Sequence, residues 1–216
     1  MSLDDLTRLR ERRADDRAAL DRLLDEQLTG TLATVTTDGR PWAVPMLHAR
    51  DGDRILLHGS TGAGALRQVA AGSEAVFAVH SVDGLVLATS MFEHSASYRS
   101  ATVRGSLRTL TGDEAWDALD RLSDVLVPGR RAEVRGMLKK EVAATVALAL
   151  DIAEDNWILK VGDDDTDEEL FEEGVWTGLV PLGTTYGEPV RSPWLGEGYE
   201  VPPSVRALVQ RSGTNE

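Results

Sequence analysis

Apolar and polar residues alternate along the middle of the chain in the pattern of half-buried strands. "TLATVTT" and "WAVPMLHAR" have the two-residue period of a strand, and the turn "DGRP" joins them. "RILLHG" follows the turn "DGD", so the three runs predict an antiparallel meander. Two longer strands are predicted from Ala75 to about Ala88 and from about Tyr98 to Leu110, and "VALALDI" returns as a last strand.

A helical period marks the segments that flank these strands. A helix is predicted from Leu3 to Leu28, where Leu20, Leu23, Leu24 and Leu28 share one face among Arg and Asp residues, and Gly30 follows as a stop signal. "TGDEAWDALDRLSDVLVPG" predicts a helix with Thr111 as its N-cap, acidic residues in its first turn and Pro128 at its end. A second helix is predicted over "RAEVRGMLKKEVAAT", and a short one over "ALRQVAAG".

These elements predict one domain with two appendages. A helix over 1–30 packs on a barrel domain over 31–162, and 163–216 forms an acidic segment followed by an irregular arm. The order of strands, short helix, strands, helices and last strand is typical of an antiparallel barrel with helices packed at its ends. The predicted fold class is therefore mainly β with helices, an α+β fold.

Composition narrows the class of partner. The 216 residues include 23 basic and 36 acidic side chains, and the net charge of -13 argues against general affinity for nucleic acid or anionic lipid. No apolar run approaches the ~18 residues of a membrane span, and the lack of cysteine suits a reducing compartment. We expect a cytoplasmic protein without nucleic-acid or membrane partners, in which a local arrangement holds any phosphate.

The segment "HGSTGAG", His58 to Gly64, joins a predicted strand to a predicted helix. Its glycines, together with Ser60 and Thr61, could direct backbone amides and hydroxyls at a phosphate near the helix N-terminus. The segment is not a Walker loop, because no Gly-Lys-Ser/Thr sequence follows. An ordinary capped turn explains the same residues, so both interpretations stay open.

The segment "FEHSASYRSATVRG" places a His, a Tyr and two Arg where a strand begins. Tyr98 and Arg99 are adjacent, so they point to opposite faces of the strand. The Arg fork suits a phosphate or the carbonyls of a flavin, while the Tyr ring offers a stacking face. An ion pair at the end of the barrel is the alternative for Arg99.

The spacing of the four histidines predicts no metal site, and no residue stands out as a catalytic acid, base or nucleophile.

Taken together, these motifs resemble those of a known family. "GTLATVTTDGRPWAVPMLHARDGDRILLHGSTGAG", "VLATSMFEHSASYRSATVRG", "VPGR" and "GVWTGLVPLGTTYGEPV" occur in this order in the chain. They resemble the pyridoxamine 5′-phosphate oxidase-like split barrels, and within them the flavin-nucleotide-binding subgroup related to nitroimidazole-resistance proteins. The resemblance implies a homodimer of six-stranded split barrels that binds FMN in two clefts between the subunits.

The resemblance also implies the cofactor-binding residues. The second strand runs along the flavin ring, the segment after the third strand holds the phosphate, and residues early in the later long strand touch the flavin. The residues at these positions are Pro45, Met46, Leu47, His48, His58, Gly59, Ser60, Thr61, Gly62, Ala63, Tyr98, Arg99 and Ser100. True oxidases carry an Arg and an Arg-Lys pair where this chain has Val44, Gly64 and Ala65, which makes pyridoxamine phosphate an unsuitable substrate.

The function implied is an FMN-dependent oxidoreductase acting on a small-molecule substrate that the sequence does not identify. One alternative is a flavin or haem carrier or sensor without turnover, with His48, His58 or His94 as an axial ligand. Another is a reductase that uses a deazaflavin coenzyme. FAD, deazaflavin and haem therefore stand beside FMN as possible cofactors.

Overall fold

The computed structural model describes residues 12–62, 66, 69, 71–162 and 173–211. Its strands are β1 (Arg13–Ala14), β2 (Thr29–Val35), β3 (Pro41–Asp51), β4 (Arg54–Ser60), β5 (Glu74–Leu87), β6 (Ser95–Ser106), β7 (Arg108–Leu110), β8 (Thr145–Asp151), β9 (Trp157–Val161) and β10 (Gly178–Pro181). The helices in the described ranges are α1 (Arg17–Glu26), α2 (Gly112–Leu126), α3 (Lys139–Ala143) and α4 (Pro203–Gln210), with a 3-10 turn at Arg130–Glu133.

The strands form a mainly antiparallel sheet with a few helices, which confirms the predicted class. The order along the sheet is β1-β9-β6-β5-β2-β3-β4-β8-β7, and β10 adds to β5. The sheet has ten strands, whereas the sequence predicts six. Two additions, β1 and β10, are short segments from regions predicted as helix and irregular arm. They become strands because they pair with β9 and β5, which are distant in the sequence, so the local residue pattern does not indicate them.

Strand β3 changes partner halfway along its length. From Pro41 to Leu47 it pairs with β2, and from His48 to Asp51 it pairs with β4. Side chains of β4 alternate between two cores, since Ile55 and Leu57 belong to one cluster and Leu56 belongs to the other. The strands around the partner change therefore carry an apolar layer on each face.

The two cores each receive one amphipathic helix. Helix α1 brings its leucines to a cluster that also contains Phe77, and α2 packs a face of small and branched residues against Ala49 and Leu56. The buried helix residues are Leu20, Leu23 and Leu24 in α1 and Ala115, Ala118, Leu119 and Leu122 in α2. These contacts fix both helices to the part of the sheet where β3 changes partner.

The predicted long strand from Tyr98 to Leu110 is interrupted. Strand β6 pairs with β5 and β9, and after buried Leu107 the chain continues as β7, which pairs with β8. Gly105 has φ +155°, a conformation that residues with a side chain rarely adopt, so the bend falls where glycine permits it. One continuous segment thus joins strands from both halves of the sheet.

Two helix predictions are corrected by the structure, and one is confirmed. The α2 prediction is right, with Thr111 at the N-cap. The N-terminal helix begins only at Arg17, because Asp16 caps Ala18 and the residues before it pair with β9; residues 1–11 lie outside the described ranges. The helix predicted over 131–145 is limited to a 3-10 turn and Lys139–Ala143, where the Glu141 carboxylate accepts a hydrogen bond from the Leu138 N–H.

The C-terminal arm is less irregular than its Gly and Pro content predicts. It contains β10 and α4, and α4 is held where the Glu133 carboxylate accepts hydrogen bonds from both the N–H and the hydroxyl of Ser204. The acidic run of 163–172 and most of the short helix predicted after His58 lie outside the described residues. In the described part of the chain, no helix has the length and apolar character needed to cross a membrane.

His48 lies at the partner change of β3 and is completely buried. Its Nε2 lies 2.9 Å from the Leu24 carbonyl oxygen, and its ring meets Phe77 edge-on at 5.0 Å. Because the Leu24 oxygen can only accept, Nε2 carries the proton in the neutral ring. Burial lowers the pKa of His48, since the charged imidazolium loses its hydration there.

Acid should therefore destabilise the protein through His48. The unfolded chain takes up the proton below about pH 6.5, while the folded chain resists it, so the free energy of unfolding falls by up to about 1.4 kcal/mol per pH unit below that value. His48→Gln keeps a donor for Leu24 but does not titrate, so it should flatten this pH dependence. Urea unfolding between about pH 7.5 and about pH 5 measures it. The exposed control His80→Gln should retain the wild-type slope; a wild-type slope in His48→Gln would contradict the assignment.

Candidate functional site

An apolar cleft runs along β3. It has a volume of about 380 Å³, and its walls are Trp42, Val44, Pro45, Met46, Leu47, His58 and Leu66. We call it the β3 cleft. Trp42, Val44 and Met46 alternate along the strand and also pack on the larger core, while Leu47 leaves 39% of its surface exposed. The position of the cleft thus follows from the strand period of "WAVPML".

The first half of β3 has an open backbone edge beside this cleft. Its other edge pairs with β2 from Pro41 to Leu47, and β4 joins β3 only from His48 onward. Among the described residues, no strand pairs with the remaining edge of Pro41–Leu47. Alternate residues of an antiparallel strand turn both N–H and C=O to the same side, so this edge presents polar groups next to apolar side chains.

His58 forms the end wall of the β3 cleft. It lies on β4 opposite Ala147 of β8. Its Nδ1 atom is buried and has no hydrogen-bond partner in the part of the chain that the structure describes, which is uncommon for a polar atom in a folded protein. The imidazole also lines a second cavity on the side of α2 and α3. His58 is therefore the titratable residue among the described walls of the cleft, and it separates two cavities.

The segment predicted to hold a phosphate is more ordered than a loop. His58, Gly59 and Ser60 are still part of β4, paired with β8. The Thr61 N–H donates to the Ala144 carbonyl and the Gly62 N–H donates to Ser60 Oγ, so both amides are already engaged. Ala63, which was also predicted as a contact, lies outside the described residues.

Tyr98, Arg99 and Ser100 lie on β6, and none of them lines the β3 cleft. Arg99 donates to both oxygens of Asp83 at 2.8 Å and to Glu26 at 2.6 Å, so its three donor nitrogens meet carboxylates. The bonds from Arg99 lower the pKa of Asp83. Within a single chain, Arg99 therefore forms an ion pair, which was the alternative interpretation of this residue in the sequence.

Other predicted contacts also have structural partners. A side chain on Gly162 would collide with the Tyr98 ring, since an added Cβ would lie 2.6 Å from its Cδ1 atom. His94 Nδ1 accepts the Ala88 N–H at 3.0 Å, and His48 is buried beneath α1. Of the histidines considered as axial ligands, only His58 lines the β3 cleft among the described residues.

Sequence reasoning did not single out Trp42 and Leu66 as wall residues. Trp42 shares a face with Val44 and Met46, so the strand period contained a usable signal for it. Leu66 comes to the cleft from beyond the end of β4, and an added Cβ on Gly59 would lie 2.2 Å from its Cδ1 atom. No local pattern indicates that contact.

A scan of family models finds one whose description is pyridoxamine 5′-phosphate oxidase, and it matches residues 16–157. The match spans β2 to β8, and includes every described wall of the β3 cleft. No curated protein matches the chain at a significant level.

Solved structures resemble most of the chain. The FAD and haem binding protein of Mycobacterium smegmatis is 44% identical, with a TM-score of 0.87 over 91% of this chain and 97% of that one. The flavocytochrome Anf3 of Azotobacter vinelandii is 24% identical, with a TM-score of 0.84 over 94% of each chain. A Bacteroides thetaiotaomicron protein, whose proposed role is 5-nitroimidazole antibiotic resistance, is 17% identical, with a TM-score of 0.58 over 69% of this chain and 86% of that one.

The ion pair of Arg99 should stabilise the fold. Arg99→Ala leaves Asp83 and Glu26 without their partner, and we expect a loss of about 1 to 3 kcal/mol in the free energy of unfolding. The Asp83 pKa is lowered in the folded chain, so the stabilisation is complete above the pKa of an unfolded Asp, about 3.9, and the difference from wild type should shrink as the pH falls below that value. Denaturant unfolding at several pH values measures both effects.

The matched control is Arg40→Ala, which removes an exposed pair with Asp38 and should change stability by less than about 0.5 kcal/mol. If Arg99→Ala keeps wild-type stability but binds FMN more weakly and riboflavin equally well, Arg99 serves as a phosphate contact instead.

Proposed function

The chain belongs to the pyridoxamine 5′-phosphate oxidase family, as its motifs predict, and on this premise we propose that it is a flavin-dependent oxidoreductase. The observation that carries the proposal is the apolar β3 cleft beside an open backbone edge. Burial of a flat ring against Val44, Met46 and Leu47 contributes about 25 cal/mol per Å² of apolar surface. The open C=O groups, together with N–H groups from residues other than Pro41 and Pro45, suit the polar edge of the same ring, so the cleft fits a flavin.

A bound flavin supplies the electron-transfer chemistry, and the protein supplies its position and a dry surface. Val44 and Met46, which share one face of β3, would exclude water from one face of the ring. His58 is the one titratable side chain among the described walls. The cleft therefore suits transfer of hydride or electrons to a small molecule better than chemistry that needs several proton donors.

FAD is the flavin that we propose, in place of the FMN implied by the sequence motifs. The relative with 44% identity is described as binding FAD and haem. In this chain the described segment 58–62 holds no Lys or Arg, and two of its amides are engaged internally. FAD distributes its charge over a pyrophosphate and adds an adenosine, so it depends less on one phosphate pocket. Deazaflavin binding rests on the sequence resemblance alone.

We further propose that the fold is a split barrel. Each strand pairs with the next in the order β2, β3, β4, β8, β7 with β6, and β5. The ring closes because β5 also pairs with β2. Because β6 and β7 are one continuous segment, these pairings form a ring of six chain passages. The predicted number of six is thus consistent with the barrel proper, with β1, β9 and β10 added at its edge.

A second copy of the chain would complete the cleft. The β3 cleft is open to solvent, and the arm exposes large apolar side chains that a lone chain leaves in water, notably Trp176 (67%), Val190 (95%) and Trp194 (88%). We propose a homodimer in which such surfaces pack together and the cofactor lies at the interface. In that assembly Tyr98 to Ser100 would approach the cofactor, which they do not do within one chain.

Haem binding is a second proposed function. The relative with 44% identity is described as binding haem, and His58 offers an imidazole in an apolar wall with an unpartnered Nδ1. A neutral imidazole in apolar surroundings suits haem iron. His58 is therefore the residue that would hold it, because His94 bonds the Ala88 N–H through Nδ1 and completely buried His48 does not line the β3 cleft.

Flavin titrations test the β3 cleft. Leu47→Asp places a charge on the exposed wall of the cleft, so it should weaken FAD binding at least tenfold, equal to about 1.4 kcal/mol. Fluorescence quenching of FAD, FMN and riboflavin gives the three affinities. The control is Leu85→Asp on β5, whose wild-type side chain is 44% exposed and lies outside the cleft.

The control should bind FAD as the wild type does. Equal FAD affinity of Leu47→Asp and the wild type would remove the cleft as the flavin site, and tighter binding of FMN than FAD would restore FMN as the cofactor. Light scattering of the loaded protein measures its mass; a single chain of 23.4 kDa with flavin bound would contradict the dimer.

Haem reconstitution tests His58. Wild-type protein titrated with haemin should develop a sharp Soret band, and His58→Ala should lose at least tenfold in haem affinity because the iron loses its protein ligand. His94→Ala is the matched control, since His94 is exposed and bonds Ala88. Electron paramagnetic resonance of the ferric protein would show the change of ligand directly. Identical spectra of His58→Ala and the wild type would rule out His58.

A further inference from the structure

A second cavity lies behind His58, between the sheet and helices α2 and α3. Its volume is about 200 Å³. Its walls are His58, Leu119, Leu122, Ser123, Leu126, Met137, Glu141, Val142 and Thr145. We call it the helix-side cavity. It is too small for a porphyrin or a three-ring flavin, so neither proposed cofactor accounts for it.

The two hydroxyls in the helix-side cavity offer acceptors rather than donors. The Ser123 hydroxyl donates to the Leu119 carbonyl at 3.0 Å, and the Thr145 hydroxyl donates to the Glu141 carbonyl at 2.9 Å. Each hydroxyl has one proton, so the two oxygens retain only lone pairs for a ligand. The remaining walls are mostly Leu, Met and Val. A ligand that fits must be mainly apolar and carry its own donor.

The helix-side cavity is unfavourable for anions, because its mostly apolar walls would remove an anion's hydration and its own carboxylate, Glu141, is ionised. Its carboxylate accepts two bonds from Arg135, at 2.6 and 2.9 Å, and one from the Leu138 N–H at 2.8 Å. The bonds from Arg135 and Leu138 lower the pKa of Glu141 to about 2, so it is ionised at neutral pH. A carboxylate ligand would meet this charge with no free cation among the described walls.

We propose that the helix-side cavity binds a small neutral molecule with one ring and one hydroxyl or N–H donor, of the chemical class of a phenol. An apolar cavity of about 150 Å³ accommodates benzene, so about 200 Å³ accommodates a ring with one polar substituent. The ring contacts Leu122, Leu126 and Val142, and its donor bonds the Ser123 or Thr145 oxygen. This site requires no cofactor.

The site also touches the β3 cleft through His58. His58 lines both cavities, and its Nδ1 has no hydrogen-bond partner among the described residues. A ligand in the helix-side cavity therefore changes the surroundings of a ring that forms the end wall of the other. Its occupancy should be visible at His58 whether or not flavin is bound.

Phenol and benzoate are the test ligands, because they share a ring and differ in charge. Titration into the full-length protein, followed by NMR with His58 ring signals assigned through His58→Gln, should show saturable binding of phenol at least tenfold tighter than of benzoate. Leu126→Trp fills the cavity with a larger side chain and should weaken phenol binding at least tenfold. Val134→Trp, at a position that is 48% exposed and does not line the cavity, is the control.

Saturable phenol binding that shifts the His58 signals and is lost only in the filled variant supports the site. Equal binding of phenol to wild type and Leu126→Trp, or benzoate binding as tightly as phenol, overturns it. If circular dichroism shows that Leu126→Trp does not fold, Val142→Phe fills the same space from α3 and decides the question. These measurements need no flavin, so failure of the cofactor proposal leaves them unaffected.

Discussion

The partner change of β3 between Leu47 and His48 is the constraint on which the rest of the structure depends. The strand pairs first with β2 and then with β4, so its position must be fixed where the partner changes. The hydrogen bond between buried His48 Nε2 and the Leu24 carbonyl oxygen fixes it there. Phe77 packs against the same ring and so closely over Gly30 that an added Cβ there would lie 2.2 Å from it. Helix α1, three strands and the core thus meet around one histidine.

The same constraint creates the cleft. Because β4 joins β3 only beyond Leu47, the first half of β3 keeps an open backbone edge, and its side chains form an apolar wall beside it. A flat molecule with apolar faces and polar edges matches such a surface. The proposed flavin site is therefore a consequence of how the sheet is joined, rather than of a phosphate-binding loop.

Charge is used for scaffolding in this chain, away from the cleft. Arg50 pairs with Asp25 of α1, Arg54 pairs with Glu114 of α2, and Arg99 pairs with Asp83 and Glu26. These half-buried pairs fix helices to strands, whereas the described cleft walls carry no acidic or permanently charged residue. An excess of acid over base is thus compatible with binding an anionic cofactor, because the contact surface itself is apolar.

Sequence alone determined the elements whose signal is local. Strand alternation located β2 to β5, and the capped, amphipathic pattern located α2, because period and capping act within a few residues. Tertiary structure alone decided the rest. Strands β1 and β10 exist through pairing with distant strands, and Leu66 reaches the cleft from beyond the end of β4. Arg99 has carboxylate partners 16 and 73 residues away in the chain, and residue type and spacing contain no information on such distant contacts.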